Sequence, residues 1–114
     1  MAGIFTRTGG PDDEGWNDEI EGESIGSAVS IILEYTGAVG AGPRLHQHPY
    51  AETFIIRKGR ARFTISDQVI EAHAGQILVA PANTPHKFEV LGPGPYVSTH
   101  IHASPRFITV WLES

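Results

Sequence analysis

Residues 40–59 read GAGPRLHQHPYAETFIIRKG, and residues 75–86 read GQILVAPANTPH. His46 and His48 lie two positions apart in a strand-like stretch, where the period of two places both imidazoles on one face. Glu52 follows four residues after His48, and His86 begins another alternating stretch 34 residues after Glu52. Three imidazole nitrogens and one carboxylate oxygen suit a divalent transition metal, because both groups offer lone pairs near pH 7. A histidine pair at this spacing is more often surface decoration, so the metal prediction depends on the larger pattern.

The spacing of glycines and prolines around these four residues supplies that larger pattern. In the first stretch, gaps of five, one, three and six residues separate Gly40, His46, His48, Glu52 and Gly59. In the second, gaps of five, one and two residues separate Gly75, Pro81, Asn83 and His86. This arrangement resembles the two motifs of the cupin superfamily, in the form of a small single-domain member. The first motif is matched throughout, while the second departs at Asn83, where glycine is usual, and at Val90, where asparagine is usual.

The resemblance implies an all-β fold, a double-stranded β-helix or jelly-roll barrel in a single domain. It also implies one divalent transition metal inside the barrel, held by His46, His48, Glu52 and His86. A six-coordinate Fe²⁺, Mn²⁺ or Ni²⁺ would keep about two positions for water or substrate. Tetrahedral Zn²⁺ could instead be closed by four protein ligands as a structural site. The identity of the metal stays open among these four.

Outward from the motifs, the chain reads as a succession of short strands. The alternating and apolar runs predict eight or nine strands, at residues 28–35, 44–48, 53–56, 60–65, 69–71, 77–80, 86–91, 96–102 and 106–112. We interpret residues 77–80 as a buried run and Asp67-Gln68 as a tight turn. This spacing is typical of a sandwich or barrel, and no stretch shows a convincing helical period. We assign the barrel to residues 26–114.

Composition excludes several classes of protein. The 114 residues suffice for one domain, and the 40% apolar content argues against a disordered or fibrous chain. A net charge of -5 disfavours nucleic-acid binding through phosphate neutralisation. Without cysteine there is no disulfide, thiolate metal site or cysteine nucleophile. No signal peptide or membrane-spanning run is recognised, so we expect a cytoplasmic protein that binds neither nucleic acid nor membrane.

Residues 1–25 form a separate acidic arm in our interpretation. Seven of the thirteen acidic residues lie between Asp12 and Glu23. The first interpretation is a solvated, partly flexible tail. The alternative is an arm that covers a sheet edge on this subunit or on a partner, anchored by Ile4, Phe5, Trp16 and Ile20.

Five further residues are candidates for a substrate pocket. Phe54 has the same strand parity as Glu52, and Phe88 has the same parity as His86. We therefore expect each ring either to form an apolar wall beside the metal or to belong to the hydrophobic core. Arg44 shares parity with His46 and could meet an anionic substrate, or it is a solvated rim charge. His100 and His102 lie two apart in a strand, and alternation does not say whether they face the pocket or solvent. The direction of Tyr50 is equally open, and Trp111 reads as packing or a dimer contact.

Two functions are compatible with this site. The first is a small metal-dependent enzyme acting on an oxygen-rich small molecule, of dioxygenase, isomerase, cyclase or lyase type, with Glu52 as a candidate catalytic base. The second is a non-catalytic, metal-dependent module that binds or senses a small ligand. Because short barrels keep exposed sheet edges and cupins of this kind are commonly dimers, we expect a homodimer.

Overall fold

The computed structural model describes residues 2–7 and 17–114. Its regular elements are one short 3₁₀ helix, Gly22–Ser24, and ten strands. The strands are β1 (Asp18–Ile20), β2 (Ser30–Thr36), β3 (His46–Gln47), β4 (Glu52–Lys58), β5 (Arg60–Ile65), β6 (Gln68–His73), β7 (Ile77–Ala80), β8 (His86–Val90), β9 (Tyr96–His102) and β10 (Val110–Trp111). The all-β prediction is confirmed. Within the described residues, no helix is long and apolar enough to span a membrane.

The strands form two five-stranded sheets in which every pairing is antiparallel. One sheet has the order β1-β2-β9-β4-β7, and the other has the order β10-β3-β8-β5-β6. Apart from the consecutive pairs β1-β2 and β5-β6, neighbours in each sheet are not consecutive in the chain, as in a jelly roll. This confirms the predicted double-stranded β-helix.

Strict alternation along the central strands builds the interior. The apolar core includes Phe54, Phe63, Val90 and Tyr96, each at most 1% exposed. Phe54 meets Phe63 edge to face, with ring centroids 4.9 Å apart, an arrangement that adds to the hydrophobic contribution of burial. The polar alternation of β9 is also buried, because Ser98, His100 and His102 point inward with Tyr96. The interior therefore has an apolar end and a histidine-rich end.

Positive backbone φ angles occur where the motif residues turn the chain. Asn83 has φ 58°, a left-handed conformation that asparagine tolerates better than most residues. Its N–H donates to the carbonyl of His48 over 2.7 Å, which ties the second motif to the first. The usual glycine at this position is thus replaced without loss of the turn.

Several sequence expectations are corrected at the edges of the sheets. Residues 77–80 form an edge strand rather than a buried run, since Ile77 is 65% and Val79 52% exposed. The predicted strand over residues 106–112 is regular only at Val110–Trp111, and the tight turn lies at Ser66-Asp67, one residue early. A short apolar run does not reveal whether its strand is central or at an edge. That place is set by which strands pair with it, and an edge strand has a partner on one side only.

The segment assigned to the arm contains an unpredicted strand. β1 pairs with β2 and buries Ile20, one of the four suggested anchors. Two others, Ile4 and Phe5, are 84% and 49% exposed, so they are not buried anchors in this chain. Trp16, the fourth, lies outside the described residues, as does the acidic run 12–14.

Candidate metal centre

Three strand starts and one loop bring the four predicted ligands together. His46 begins β3 and is paired in register with His86, which begins β8. Glu52 begins β4, and His48 lies in the loop between β3 and β4. All four side chains are buried, and one ligand atom from each lies within 4.8 Å of the others. The spacing of the motifs thus becomes a single cluster that could hold a metal ion.

The tautomers of the three histidines are set by backbone carbonyls. The Nδ1 atoms of His46, His48 and His86 lie 2.7, 2.8 and 2.8 Å from the carbonyl oxygens of Arg44, Ile108 and Thr84. A carbonyl only accepts hydrogen bonds, so each Nδ1 carries a proton, and the Nε2 of each imidazole in its neutral form keeps a lone pair. Fixing the second ring nitrogen in this way is how proteins orient histidine ligands of metals.

The carboxylate of Glu52 supplies the test of whether a cation fits. Its Oε1 lies 3.1 Å from Nε2 of His48 and 3.1 Å from Nε2 of His86. With each Nδ1 protonated, neutral imidazoles would direct lone pairs at an oxygen that is also an acceptor. Only extra protons on the imidazoles or a cation among these atoms resolves this conflict, and a divalent ion does so for all of them together. The donor set therefore fits a divalent transition metal.

The protonation states favour the same conclusion. Burial alone raises the pKa of Glu52, but hydrogen bonds from the imidazoles of His102, His48 and His86 outweigh it and hold this pKa well below its usual range. A bound cation would stabilise the same ionised carboxylate in place of those donated protons. Burial lowers the pKa of His46 despite its bond to the Arg44 carbonyl. An ionised carboxylate and a neutral imidazole are the forms that coordinate metals.

Two more histidines, both facing inward from β9, contact the other oxygen of Glu52. Its Oε2 lies 3.1 Å from Nε2 of His102 and 3.6 Å from Nδ1 of His100. Burial lowers the pKa of His100 to about 4, and the Ser98 hydroxyl lies 2.7 Å from its Nε2. The open question of their direction is answered: both histidines belong to the interior, at 2% and 3% exposure.

Tyr50 holds His102 in place. Its hydroxyl oxygen accepts the N–H of Ile108 over 3.3 Å and lies 2.7 Å from Nδ1 of His102. If the Tyr50 O–H donates to Nδ1, the His102 proton resides on Nε2 and faces the ionised Glu52. The contact with Oε2 is too poorly aligned to be a hydrogen bond, and Nε2 has no other partner among the described residues.

The cluster opens into a cavity of about 480 Å³. Phe54 and Phe88 line it as predicted, and so do His100 and His102. Arg44 does not, because its guanidinium lies outside over the ring of Trp111, 4.8 Å from the centroid. Trp111 itself lines the cavity, and its ring centroid is 5.2 Å from that of His46.

Among the lining residues that the sequence did not place in the site are Phe107, Trp111, Glu19 and Glu34. Glu34 interrupts the apolar strand β2 at the parity of Ile32, and an acid in such a position was the available signal. Phe107 and Trp111 carried no signal, because strand periodicity fails in the irregular C-terminal segment.

A family model described as Cupin domain matches residues 34–102. No curated protein matches the chain. Among solved structures, a cupin protein from Bacteroides fragilis is 20% identical, with a TM-score of 0.72 over 91% of this chain and 86% of that one.

Longer proteins also contain this fold. A formate complex of oxalate decarboxylase from Lactobacillus farciminis is 18% identical, with a TM-score of 0.74 over 84% of this chain and 30% of that one. A study of the Mn(II) centres of Bacillus subtilis oxalate decarboxylase provides a match at 22% identity and a TM-score of 0.74, over 82% and 27%. The chain thus spans less than a third of either decarboxylase.

Proposed function

Since the chain belongs to the cupin family, we propose that it is a small metal-dependent enzyme acting on a small molecule with oxygen donors. The observation that carries the proposal is the convergence of three imidazole nitrogens and a carboxylate oxygen in one buried cluster that lines a cavity. We assign the metal to His46, His48, Glu52 and His86. The alternative, a ligand-binding module without turnover, uses the same site.

A divalent ion bound there would polarise a carbonyl or enol oxygen, or activate water. The protein's own side chains have separate parts in this proposal. Phe54 and Phe88 form an apolar wall that excludes water from the reacting molecule. His100 and His102 lie beside Oε2 of Glu52, while Oε1 faces His48 and His86. The predicted role of Glu52 as a base is weakened by its low pKa, since a good base titrates near the working pH.

Metal content and thermal stability test the site. We expect protein purified without an affinity tag to hold about one transition metal ion per chain. Chelation should lower the melting temperature by about 10 °C, since a ligand bound only by the native state adds to stability. His86→Ala should bind no metal, whereas His73→Ala, which changes an exposed histidine on β6, should bind as the wild type does. Equal metal binding by His86→Ala and the wild type would contradict the ligand assignment.

Water exchange at the metal separates the enzyme from a closed structural site. We expect Mn²⁺-loaded protein to enhance the relaxation of solvent protons, because four protein ligands leave positions for exchangeable water. A small oxygen chelator such as catechol should abolish the enhancement by displacing that water. A loaded protein without any enhancement would have a closed site and would be unsuited to catalysis.

A further inference from the structure

The charged side chains that line the cavity are all carboxylates. They are Glu52 at its base and Glu19 and Glu34 on the β1–β2 side, and no lysine or arginine of the described residues lines it. Glu34 is opposite Ser98 of β9 in the register, so both side chains project to the interior. Glu19 is opposite Ile32, which has the same parity as Glu34. Neither acid forms an ion pair with a described basic residue.

Four basic residues outside the cavity have partners elsewhere. Arg44 stacks on the outside of Trp111. Arg60, Arg62 and Lys87 pair with Glu71, Glu89 and Glu113, none of which lines the cavity. Consequently, an anionic group on a bound molecule would find no cation beyond the metal itself.

The desolvation of Glu34 adds to the unfavourable environment for an anionic group in this cavity. Burial raises its pKa, and the nearby charges of Glu19 and Glu52 raise it further. Whether ionised or protonated, Glu34 can accept a hydrogen bond from a hydroxyl or ammonium group. A carboxylate in the same place would be repelled by the ionised form.

A second, independent group points to a ligand in the same cavity. His102 is 3% exposed and lines the cavity, and its Nε2 lies 3.1 Å from Oε2 of Glu52 without the alignment of a hydrogen bond. With Tyr50 donating to Nδ1, this Nε2 carries a proton, and a well-aligned oxygen of a bound molecule would complete its hydrogen bonding. The cavity therefore offers a donor near the metal and acceptors on the β1–β2 side.

We propose that the site selects a neutral or cationic molecule, with its oxygen donors at the metal and a hydroxyl or ammonium group at Glu34 and Glu19. This inference rests on the proposed function and narrows its substrate class. Molecules whose free end is a carboxylate are excluded from the preferred class. The earlier expectation that Arg44 could meet an anionic substrate is replaced by this assignment.

Three catechols with the same metal-binding head test the preference. They carry an ethylamine, an ethanol or a propanoate chain on the ring, and their affinities for the Ni²⁺-loaded protein, whose six-coordinate ion keeps open positions, are measured by titration calorimetry. We expect the amine to bind about tenfold more tightly than the propanoate, with the alcohol between them. Glu34→Gln should reduce this ratio about threefold or more. Asp67→Asn, an equal loss of charge at the exposed β5–β6 turn, should leave the ratio unchanged.

The possible outcomes separate the two proposals. Metal-dependent binding of all three catechols with equal affinities, or with the propanoate tightest, overturns the charge preference and leaves the proposed function intact. Binding that is the same with and without metal, or no binding of any catechol, overturns the proposed function. A ratio that survives Glu34→Gln unchanged removes Glu34 from the assignment.

Discussion

At the scale of single residues, Glu52 connects two groups of histidines. Oε1 faces His48 and His86, whereas Oε2 faces His102 and His100. This division favours a carboxylate that offers one oxygen to a metal while the other is held by imidazoles. Contacts that orient a metal-binding side chain in this manner usually contribute strongly to metal affinity.

Tyr50 contacts His102, which in turn lies beside Glu52, so its hydroxyl should affect metal affinity although it is not a proposed ligand. We predict that Tyr50→Phe weakens metal binding about tenfold, because His102 loses the hydroxyl contact that orients its ring beside Oε2 of Glu52. Competition with a chromogenic chelator measures the affinity. Tyr35→Phe, on the opposite face of β2 from Glu34, is the matched control and should not change it. Equal affinities in both variants would show that Tyr50 merely packs.

The cluster of the four proposed ligands could be predicted from the sequence because their types and spacing are distinctive. The direction of His100 and His102 could not, since alternation gives two faces without saying which is inside. The general rule that polar residues face solvent points the wrong way for β9, where a polar interior surrounds the site. Only register with Glu52 and Phe54 on β4 decides the face.

At the scale of elements, two motif glycines lie in turns between strands, Gly59 between β4 and β5 and Gly75 between β6 and β7. Gly59 and Gly75 have φ angles of 75° and 95°. The N–H of Gly75 donates to the carbonyl of Ile56, and the N–H of Ala74 donates to that of Gly59, both over 3.0 Å. The two glycines share a conformation, but a Cβ on Gly59 would lie 2.4 Å from the carbonyl oxygen of Pro95, while one on Gly75 would meet nothing within 4 Å.

This difference predicts unequal costs for the same substitution. Gly75→Ala should lower the free energy of unfolding by about 1 kcal/mol, the cost of a left-handed alanine. Gly59→Ala should cost about 3 kcal/mol or more, because the backbone near Pro95 must also move. Urea denaturation of the chelated proteins measures both values. A smaller loss for Gly59→Ala than for Gly75→Ala would contradict the steric argument.

Elements with strong alternation were predicted within a residue or two, whereas β1 was not predicted and the exposure of β7 was wrong although its bounds were right. The short strand β1 lies in a segment whose acidity suggested a solvated arm, yet its backbone pairs with β2 along three residues. Backbone pairing depends little on side-chain charge, so composition alone does not reveal it. For β7, exposure is decided by its place beside β4 at the end of the sheet.

At the scale of the whole molecule, the exposed apolar edge bears on assembly. Val69, Ile77 and Val79 are each more than half exposed at the adjacent ends of the two sheets. Edges of this kind favour pairing with another chain. The homodimer and the cytoplasmic location remain predictions from the sequence.

The acidic cavity should also couple the stability of the whole molecule to pH. Burial raises the pKa of Glu34 above its ordinary value of 4.5, helped by Glu19 and Glu52. The native state therefore binds this proton more tightly than the unfolded chain does. Between the two pKa values the native state carries more protons, so the free energy of unfolding falls as pH rises, and the full penalty applies above the native pKa.

Replacing the carboxyl removes this penalty. We predict that Glu34→Gln melts at the same temperature as the wild type near pH 4.5 and about 2–5 °C higher at pH 8, with chelator present at both. Asp67→Asn controls for net charge and should follow the wild-type curve. A constant gain at every pH would indicate better packing by glutamine. A lower melting temperature of Glu34→Gln at pH 8 would mean that the ionised Glu34 stabilises the fold. That result would contradict the argument that negative charge is unfavourable in this cavity, on which the ligand preference depends.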